Sequence, residues 1–276
     1  MVHISSIGKK MTYYTLPFNL KPILDEFDYP DIGGIMLMGS FARGTAHQHS
    51  DIDILRLIPE GDNKNIPHGG TFYYQDHLLV ISDITQPEVE KSFTLPDRIC
   101  DAIHGFRSMR PLIDRNGMIE MIKIRADQFE WTPGLKKKAH ENVSEQMVGW
   151  IEEVHKGLNG LETNHIGRLI NARFGLSWGL SNIIKIYYGI LLTSDNGIYE
   201  DIENYLGKDT DWCMLRNLAF GITNESMMPI SIQNQIRAGL RLYQLTANLV
   251  SDALHNHDKE LVSKASNRIN QALQKK

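Results

Sequence analysis

The sequence has few cysteines, no excess of basic residues and no long uninterrupted apolar run. Cys100 and Cys213 are its two cysteines among 276 residues, so a disulfide framework and a cysteine metal site are both excluded. We expect them to be small buried side chains. A formal net charge of -4 gives no global basic field for nucleic acid. The most apolar long stretch, residues 174–192, includes Lys185 and predicts a bundle helix, not a membrane span.

The first residues lack the charged-then-apolar build of a secretory signal. Together with the low cysteine content, this predicts a cytoplasmic protein. A length of 276 residues favours two domains over one or three.

Short strand and helix signals alternate in the first half of the chain. Thr85, Pro87 and Glu88 form a capping box with an early proline and predict a helix start. Gln75-Asp76-His77 predicts a hairpin turn. We predict helices near 20–27 and 118–129, and strands near 35–38, 51–57, 71–74, 78–81 and 112–114.

From residue 136 onward the apolar positions follow helical spacing. One predicted stripe is Met147, Ile151, Val154, Leu158 and Leu161; a second runs through Ile170, Phe174, Leu180, Ile184, Tyr187 and Leu191, and a third through Ile236, Leu240, Tyr243, Leu249 and Leu254. The sequence therefore predicts an α+β domain with a mixed sheet over residues 1–132, followed by an all-α helical bundle over residues 133–276.

The most informative motif is a Gly39-Ser40 turn after an apolar run, followed by Asp51 and Asp53 alternating with Ile52 and Ile54. Successive side chains of a strand point to opposite faces, so the two aspartates share one face. Their mutual repulsion is usually compensated by a divalent cation with oxygen ligands. A Gly-Ser turn that opens a helix offers N–H groups and a positive dipole end to a phosphate. The pattern predicts a nucleoside-triphosphate site.

This pattern, with Arg43 and Gly44 completing a Gly-Ser-x-x-Arg-Gly form, resembles the nucleotidyltransferase superfamily that includes DNA polymerase beta. The order of an α+β domain and a helical bundle is similar to that of kanamycin and other aminoglycoside nucleotidyltransferases. The resemblance implies a nucleotidyltransferase fold in the first domain and transfer of a nucleoside monophosphate to a hydroxyl group.

The resemblance also assigns roles to the motif residues. Asp51 and Asp53 would bind Mg²⁺, which bridges the oxygens of ATP. The nucleotide-binding residues would be Gly39, Ser40, Arg43, Gly44 and Ser50, although a purely local turn role for Ser50 is equally consistent with its position. His47 and His49 allow a zinc alternative with the nearby aspartate, but triphosphate chemistry favours oxygen-bound Mg²⁺.

The family usually has a third metal-binding acid on the neighbouring strand, and this chain departs from that pattern. Counting back from the cap at Thr85, the position falls on Val80. Asp83 is the better substitute as a third metal ligand and Asp76 is another, if a bulge shifts the strand register.

Aminoglycoside-modifying relatives carry a general-base glutamate on the first long helix of the bundle. Glu152 and Glu153 occupy a comparable position here and are the candidate catalytic bases. A glutamate pair on a helix is also common on a solvated surface, and Lys156 is placed to pair with Glu152.

The resulting hypothesis is a Mg²⁺-dependent enzyme that transfers AMP from ATP to a small-molecule hydroxyl acceptor, with an aminoglycoside-like antibiotic as one case. The alternative is a regulator or antitoxin-like protein with the same fold and degenerate catalysis. An RNA nucleotide-adding enzyme would need a basic face, and a solvated helix start explains residues 136–138 adequately. We expect no nucleic acid or membrane partner, and the resemblance suggests a homodimer.

Overall fold

The computed structural model describes residues 16, 19–60, 66–67, 69–223 and 229–274, and these fall into two compact units. The first unit comprises the residues up to Glu90 and Gly105–Phe129; the second comprises Lys91–His104 and the residues from Glu130 onward. Each has a hydrophobic core of its own. The predicted α+β class is confirmed, with a mixed sheet in the first unit and a predominantly helical second unit.

Within the described residues, the first unit contains one five-stranded sheet. Its strands are β1 (Gly34–Leu37), β2 (Ile52–Ile58), β3 (Gly70–Tyr74), β4 (His77–Thr85) and β5 (Arg110–Asp114). Their spatial order is β3-β4-β2-β1-β5. Strands β2 and β4 are parallel, and the other neighbours are antiparallel. The associated helices are α1 (Lys21–Phe27), α2 (Gly39–Arg43), α3 (Gln86–Thr94), α4 (Pro96–Ser108) and α5 (Met118–Asp127), of which α3 and α4 contribute residues to both units.

Alternation along the strands gives the sheet a core face that is apolar apart from the paired Arg56 and Asp83. Ile52 and Ile54 of β2 are buried on this face, and Asp53 between them therefore lies on the other face. In the ladder these two isoleucines are level with buried residues of both neighbouring strands, namely Leu37 of β1 and Leu79 and Ile81 of β4. The core thus fixes which face carries the aspartates.

Two turn signals are confirmed in detail. Gln75 and Asp76 form a two-residue hairpin loop with φ of 46° and 64°, as a type I′ turn requires. At the start of α3, both the N–H and the hydroxyl of Thr85 donate to Oε2 of Glu88 at 2.8 Å, which is the glutamate half of a capping box. The break between α3 and α4 was not predicted, although Pro96 at the first position of α4 marks the new helix.

The second unit contains a helical bundle. Its helices are α6 (Pro133–Gly149), α7 (Ile151–Thr163), α8 (Ile166–Phe174), α9 (Leu180–Tyr188), α10 (Ile198–Leu206), α11 (Asp211–Phe220), α12 (Ile232–Leu249) and α13 (Asn256–Gln274). Cys100 and Cys213 are free and fully buried, as predicted, and burial raises the pKa of the Cys100 thiol to about 12. No helix in the described part of the chain has the length and apolarity needed to cross a membrane.

A π-helical segment, Gly175–Gly179, joins α8 to α9 and changes which face is buried. The predicted stripe continued from Ile170 and Phe174 into Leu180 and Ile184. The first two are instead 50% and 62% exposed, whereas the last two are fully buried. A π turn holds more residues than an α turn, so the apolar face after it is rotated relative to the face before it. The prediction of one continuous core stripe is therefore wrong at its first two positions.

Trp150 packs against the glycines of the π segment. A Cβ added at Gly179 would lie 2.4 Å from Cε2 of Trp150, whereas one at Gly149 would meet no atom within 4 Å. We predict that Gly179→Ala lowers the free energy of unfolding by about 1–3 kcal/mol, since a close-packed core does not absorb an extra methyl group. Gly149→Ala, the matched control, should change it by about 0.5 kcal/mol or less, in the stabilising direction. Urea unfolding of both variants checks this, and equal stabilities would contradict the packing.

Candidate nucleotide and metal site

The backbone turn after β1 lies directly against the second aspartate of the motif. The N–H of Met38 donates to the carbonyl of Asp53 at 2.8 Å, which ties the turn to β2. Gly39 has φ of +65°, and a Cβ placed on it would lie 1.9 Å from Oδ2 of Asp53. Position 39 is therefore restricted to glycine twice, by its left-handed backbone and by the approach of the carboxylate.

Ser40 offers an unused hydroxyl beside this turn. Its Oγ is buried and has no hydrogen-bond partner in the described part of the chain, an arrangement that is costly unless a ligand supplies the partner. Its carbonyl accepts from the N–H of Thr45 at 2.9 Å, and Gly44, with φ of 75°, ends α2. Because α2 has only five residues, the helix dipole predicted to attract phosphate is small, and local N–H and hydroxyl groups remain as the donors.

Asp51 and Asp53 are two residues apart at the start of β2. Ile52 and Ile54 are 0% and 2% exposed on the opposite face, so alternation places both aspartates on one side of the strand. Both aspartates are half-buried and remain open to solvent. The burial of Ile52 and Ile54 agrees with their predicted place in the core.

Arg43 lies at the last position of α2 and is half-buried. It makes no hydrogen bond or ion pair with any other residue that the structure describes. An arginine beside an anion-binding turn can donate a fork of N–H groups to phosphate oxygens. Its placement is compatible with the predicted nucleotide contact.

Ser50 and the two histidines form a local turn. The N–H of His47 donates to Oγ of Ser50 at 2.9 Å, and the N–H of Ser50 donates back to the carbonyl of His47 at 2.9 Å. The N–H of His49 donates to Nδ1 of His47 at 3.1 Å. These contacts favour the turn role of Ser50. Among the residues described, no three His, Cys, Asp or Glu side chains converge as a metal site.

The neighbouring strand carries no acid level with the aspartates. Val80 pairs in register with Asp53 across the parallel β2–β4 ladder, as the residue count predicted. Asp83 is level with Arg56 and lies on the opposite face, where its carboxylate accepts from Nε and Nη2 of Arg56 at 2.7 and 3.0 Å. This placement argues against Asp83 as the third metal ligand. Asp76 lies at the tip of the β3–β4 hairpin.

Arg56 is a buried residue that the sequence analysis missed. It is 0% exposed, its Nη2 donates to the carbonyl of Pro67 at 2.7 Å, and its guanidinium lies 5.7 Å from the ring centroid of Phe27. Position 56 follows the core positions 52 and 54 at the two-residue spacing of a strand, and this spacing could have indicated its burial. An arginine at a core position needs a carboxylate partner. That requirement would have identified Asp83 as the partner of Arg56.

The two candidate bases lie on α7 of the second unit and differ in burial. The Glu153 side chain is 14% exposed; its Oε1 accepts from Nζ of Lys156 at 2.8 Å, while its Oε2 is buried without a partner among the described residues. The Glu152 side chain is 74% exposed and lies 2.9 Å from the same ammonium group. The pKa of Lys156 is raised, first by its hydrogen bond to Glu153 and then by that to Glu152. Glu153 is the more constrained of the pair.

Comparisons with known proteins give one family and one fold. Residues 19–124 match the family model described as "Nucleotidyltransferase domain". No curated protein sequence matches the chain significantly. Among solved structures, a nucleotidyltransferase-like protein from Exiguobacterium sibiricum 255-15 matches with a TM-score of 0.50 at 13% identity, over 85% of this chain and 75% of the other. At that identity the structural match supports the fold alone.

The contact between Gly39 and Asp53 makes a direct prediction. Gly39→Ala should lower the free energy of unfolding by more than the roughly 1–2 kcal/mol expected for a left-handed alanine, because its Cβ also displaces the Asp53 carboxylate. It should also weaken binding of Mg²⁺ and nucleotide at least about tenfold. Denaturant unfolding and calorimetry measure the two effects.

Gly117 provides a matched control. It has φ of +69°, and a Cβ there would meet no atom within 4 Å. Gly117→Ala should therefore show the backbone cost alone, with unchanged nucleotide binding. If both variants behaved alike, Gly39 would have no role beyond its backbone conformation.

Proposed function

Residues 19–124 form a domain of the nucleotidyltransferase superfamily, and from the geometry of its site we propose that the protein transfers AMP from ATP to a hydroxyl group of a small molecule. The family match confirms the resemblance drawn from the motif and indicates nucleotidyl transfer in general. The donor, the metal and the acceptor are proposals. The observation that carries them is the contact of the Asp53 carboxylate with a glycine turn whose neighbouring serine hydroxyl is buried and unpaired.

The residues present fit a metal–triphosphate complex. Asp51 and Asp53 supply carboxylate oxygens on one face of β2, and water and phosphate oxygens commonly complete the coordination of Mg²⁺. Gly39 leaves no side chain between the carboxylate and the turn, and the unpaired Oγ of Ser40 supplies a donor for a phosphate oxygen. Arg43 is the nearby cation for the triphosphate tail.

In the proposed reaction the acceptor hydroxyl oxygen forms a bond to the α-phosphorus of ATP. The bond from that phosphorus to the bridging oxygen breaks, and pyrophosphate leaves. Bound Mg²⁺ would neutralise charge that develops on the phosphate oxygens. The chain's own residues hold the tail at Ser40 and Arg43 and keep the metal-binding carboxylates in place, so most of the catalytic effect comes from alignment and electrostatics.

We assign the general base to Glu153. It would take the proton of the attacking hydroxyl, a role that needs a carboxylate held in place with an oxygen available. Its Oε1 is held by Lys156 and its Oε2 has no partner among the residues described, whereas Glu152 is largely exposed. These contacts favour Glu153 over Glu152.

A second candidate function is a regulatory or antitoxin-like protein that retains the fold and nucleotide binding with little turnover. Val80 is the specific observation that favours it, because this residue occupies the register position beside Asp53 where the family usually has a third acid. Without that acid, a second metal that activates the acceptor would have one ligand fewer. The two candidates predict the same nucleotide binding and opposite turnover.

Several finer expectations remain proposals. An aminoglycoside-like antibiotic is one acceptor within the proposed class, and no nucleic acid or membrane partner is proposed. A cytoplasmic location and a homodimer are proposed from the composition and from the resemblance, respectively. Size-exclusion chromatography with light scattering tests the dimer.

The proposed function is tested by calorimetry with Mg²⁺ and ATP, followed by pyrophosphate release over a library of hydroxyl compounds. Saturable binding together with acceptor-dependent pyrophosphate release supports the enzyme. Binding without release on any acceptor favours the regulator, and absence of nucleotide binding rejects both.

Asp51→Asn and Asp53→Asn should each lower Mg²⁺-dependent transfer at least about a hundredfold, because each removes a charged oxygen ligand at the reacting phosphate. Thermal unfolding should change little, since neither side chain belongs to the apolar core. Asp127→Asn, at an exposed position of α5, is the control and should keep full activity. Retention of activity in both site variants would refute the assignment.

The two glutamates should separate in turnover. Glu153→Gln should lower kcat about a hundredfold or more while nucleotide affinity is preserved, as loss of a general base does. Glu152→Gln should stay within about twofold, because an exposed ion pair contributes little. Steady-state kinetics measures kcat and calorimetry measures nucleotide affinity. Nearly equal kcat values for the two variants would show that neither glutamate of α7 is the general base.

A further inference from the structure

Strands β3 and β4 expose side chains on the face of the sheet that carries Asp53. In the ladder, Asp53 of β2 is level with Val80 of β4, which is level with Thr71 of β3. Alternation places on this same face the residues Thr71, Tyr73, Leu78, Val80 and Ser82, which we call the Tyr73 face. Tyr73 is 77% exposed, Thr71 and Ser82 are exposed, and Leu78 and Val80 are half-buried.

The exposure of Tyr73 is fixed by its strand. Its neighbours Phe72 and Tyr74 lie on the opposite face and pack against the core, where Phe72 stacks on Phe27 with ring centroids 5.7 Å apart. A one-residue shift that buried Tyr73 would expose both of these rings. Tyr73 makes no hydrogen bond or ring contact with the other described residues.

The phosphate-binding turn and the Tyr73 face lie on opposite sides of β2. The Gly39-Ser40 turn follows β1, and Met38 bonds to Asp53 from that side; β4 and β3 extend the sheet on the other side. In the proposed reaction the triphosphate occupies the β1 side, so the acceptor has to approach over β4 and β3. Tyr73 lies two strands away, about 10 Å from the line of β2, a distance that one or two rings span.

The chemistry of this surface restricts what it can bind. Thr71, Tyr73, Leu78, Val80 and Ser82 carry no formal charge, and Asp83 of β4 lies on the other face against Arg56. The nearest acid along these two strands is Asp76, at the tip of the hairpin. A tyrosine ring flanked by hydroxyls and short apolar side chains suits a ring system with a flat or apolar face. It offers no row of carboxylates to a polycation.

We propose that the Tyr73 face is the acceptor site, and that the acceptor is an uncharged ring compound that stacks on Tyr73 while its hydroxyl group reaches the aspartates. This proposal rests on the proposed function, because only a transferase would use the bound molecule as an acceptor. It adds the substrate class and names Tyr73 as the residue that determines specificity. It also disfavours a polycationic aminoglycoside as the acceptor.

The test uses two probes that share their sugar hydroxyls, phenyl β-glucoside and methyl β-glucoside, with kanamycin as a cationic third probe. Binding of each is measured by calorimetry in the presence of Mg²⁺ and a non-hydrolysable ATP analogue, and again without nucleotide. Pyrophosphate release with ATP is measured separately. The variants are Tyr73→Ala and Tyr73→Phe. Tyr205→Ala is the control at an exposed tyrosine, 55% accessible, on α10 of the bundle.

We expect the phenyl glucoside to bind about tenfold more tightly than the methyl glucoside, as one aromatic contact allows. Tyr73→Phe and Tyr205→Ala should keep this preference, and Tyr73→Ala should abolish it. Affinity for the ATP analogue should stay within about twofold in all three variants, because Tyr73 lies away from the phosphate turn.

Equal binding of the two glucosides to the wild-type chain would overturn the proposal, as would a phenyl preference that survives Tyr73→Ala. Tight kanamycin binding that is independent of Tyr73 would overturn it in favour of a charged acceptor. A different result would reject the proposed function alone. If ATP is neither bound nor cleaved while the Tyr73-dependent phenyl preference persists, the ring-binding surface stands and the transferase assignment does not.

Discussion

The close approach of the Asp53 carboxylate to the backbone of Gly39 is the constraint on which the site depends. A left-handed glycine lets the chain turn sharply after β1, and the missing side chain leaves room for an acidic oxygen against the turn. The same turn leaves the hydroxyl of Ser40 buried without a partner in the described part of the chain. A carboxylate against the turn and a buried hydroxyl without a partner form a poor interior and a good site for a cation bound to an anion.

The sheet separates a structural ion pair from the candidate site. On the core face, the buried Arg56 is paired with Asp83. Removing either partner would leave the other as an unpaired charge in a low-dielectric environment. On the other face, Asp51 and Asp53 stay within reach of solvent, and β4 and β3 present uncharged side chains. One strand, β2, thus carries a structural ion pair on one side and the candidate chemistry on the other.

Local sequence signals predicted most of the first unit. Alternation in Ile52-Asp53-Ile54, the glycine turn, the hairpin at Gln75-Asp76 and the capping box at Thr85 each depend on a few neighbouring residues. The count that placed Val80 beside Asp53 agrees with the observed register. What failed depends on longer-range packing: the role of Asp83 required knowing that Arg56 is buried.

The helical half shows the same limit. The exposure of Ile170 and Phe174 follows from the π segment, whose glycines accommodate Trp150 from the junction of α6 and α7. A prediction based on a regular period of 3.6 residues does not include the additional residue of a π turn. The proposed acceptor surface was likewise not predictable from sequence. The Tyr73 face takes residues from two strands, and only their register places them together.

A crystal structure with Mg²⁺ and a non-hydrolysable ATP analogue tests the central claim most directly. We expect a metal ion coordinated by both Asp51 and Asp53, with phosphate oxygens accepting from the Ser40 hydroxyl and the turn at Gly39. A nucleotide bound elsewhere, or a metal ion that omits Asp53, would contradict it.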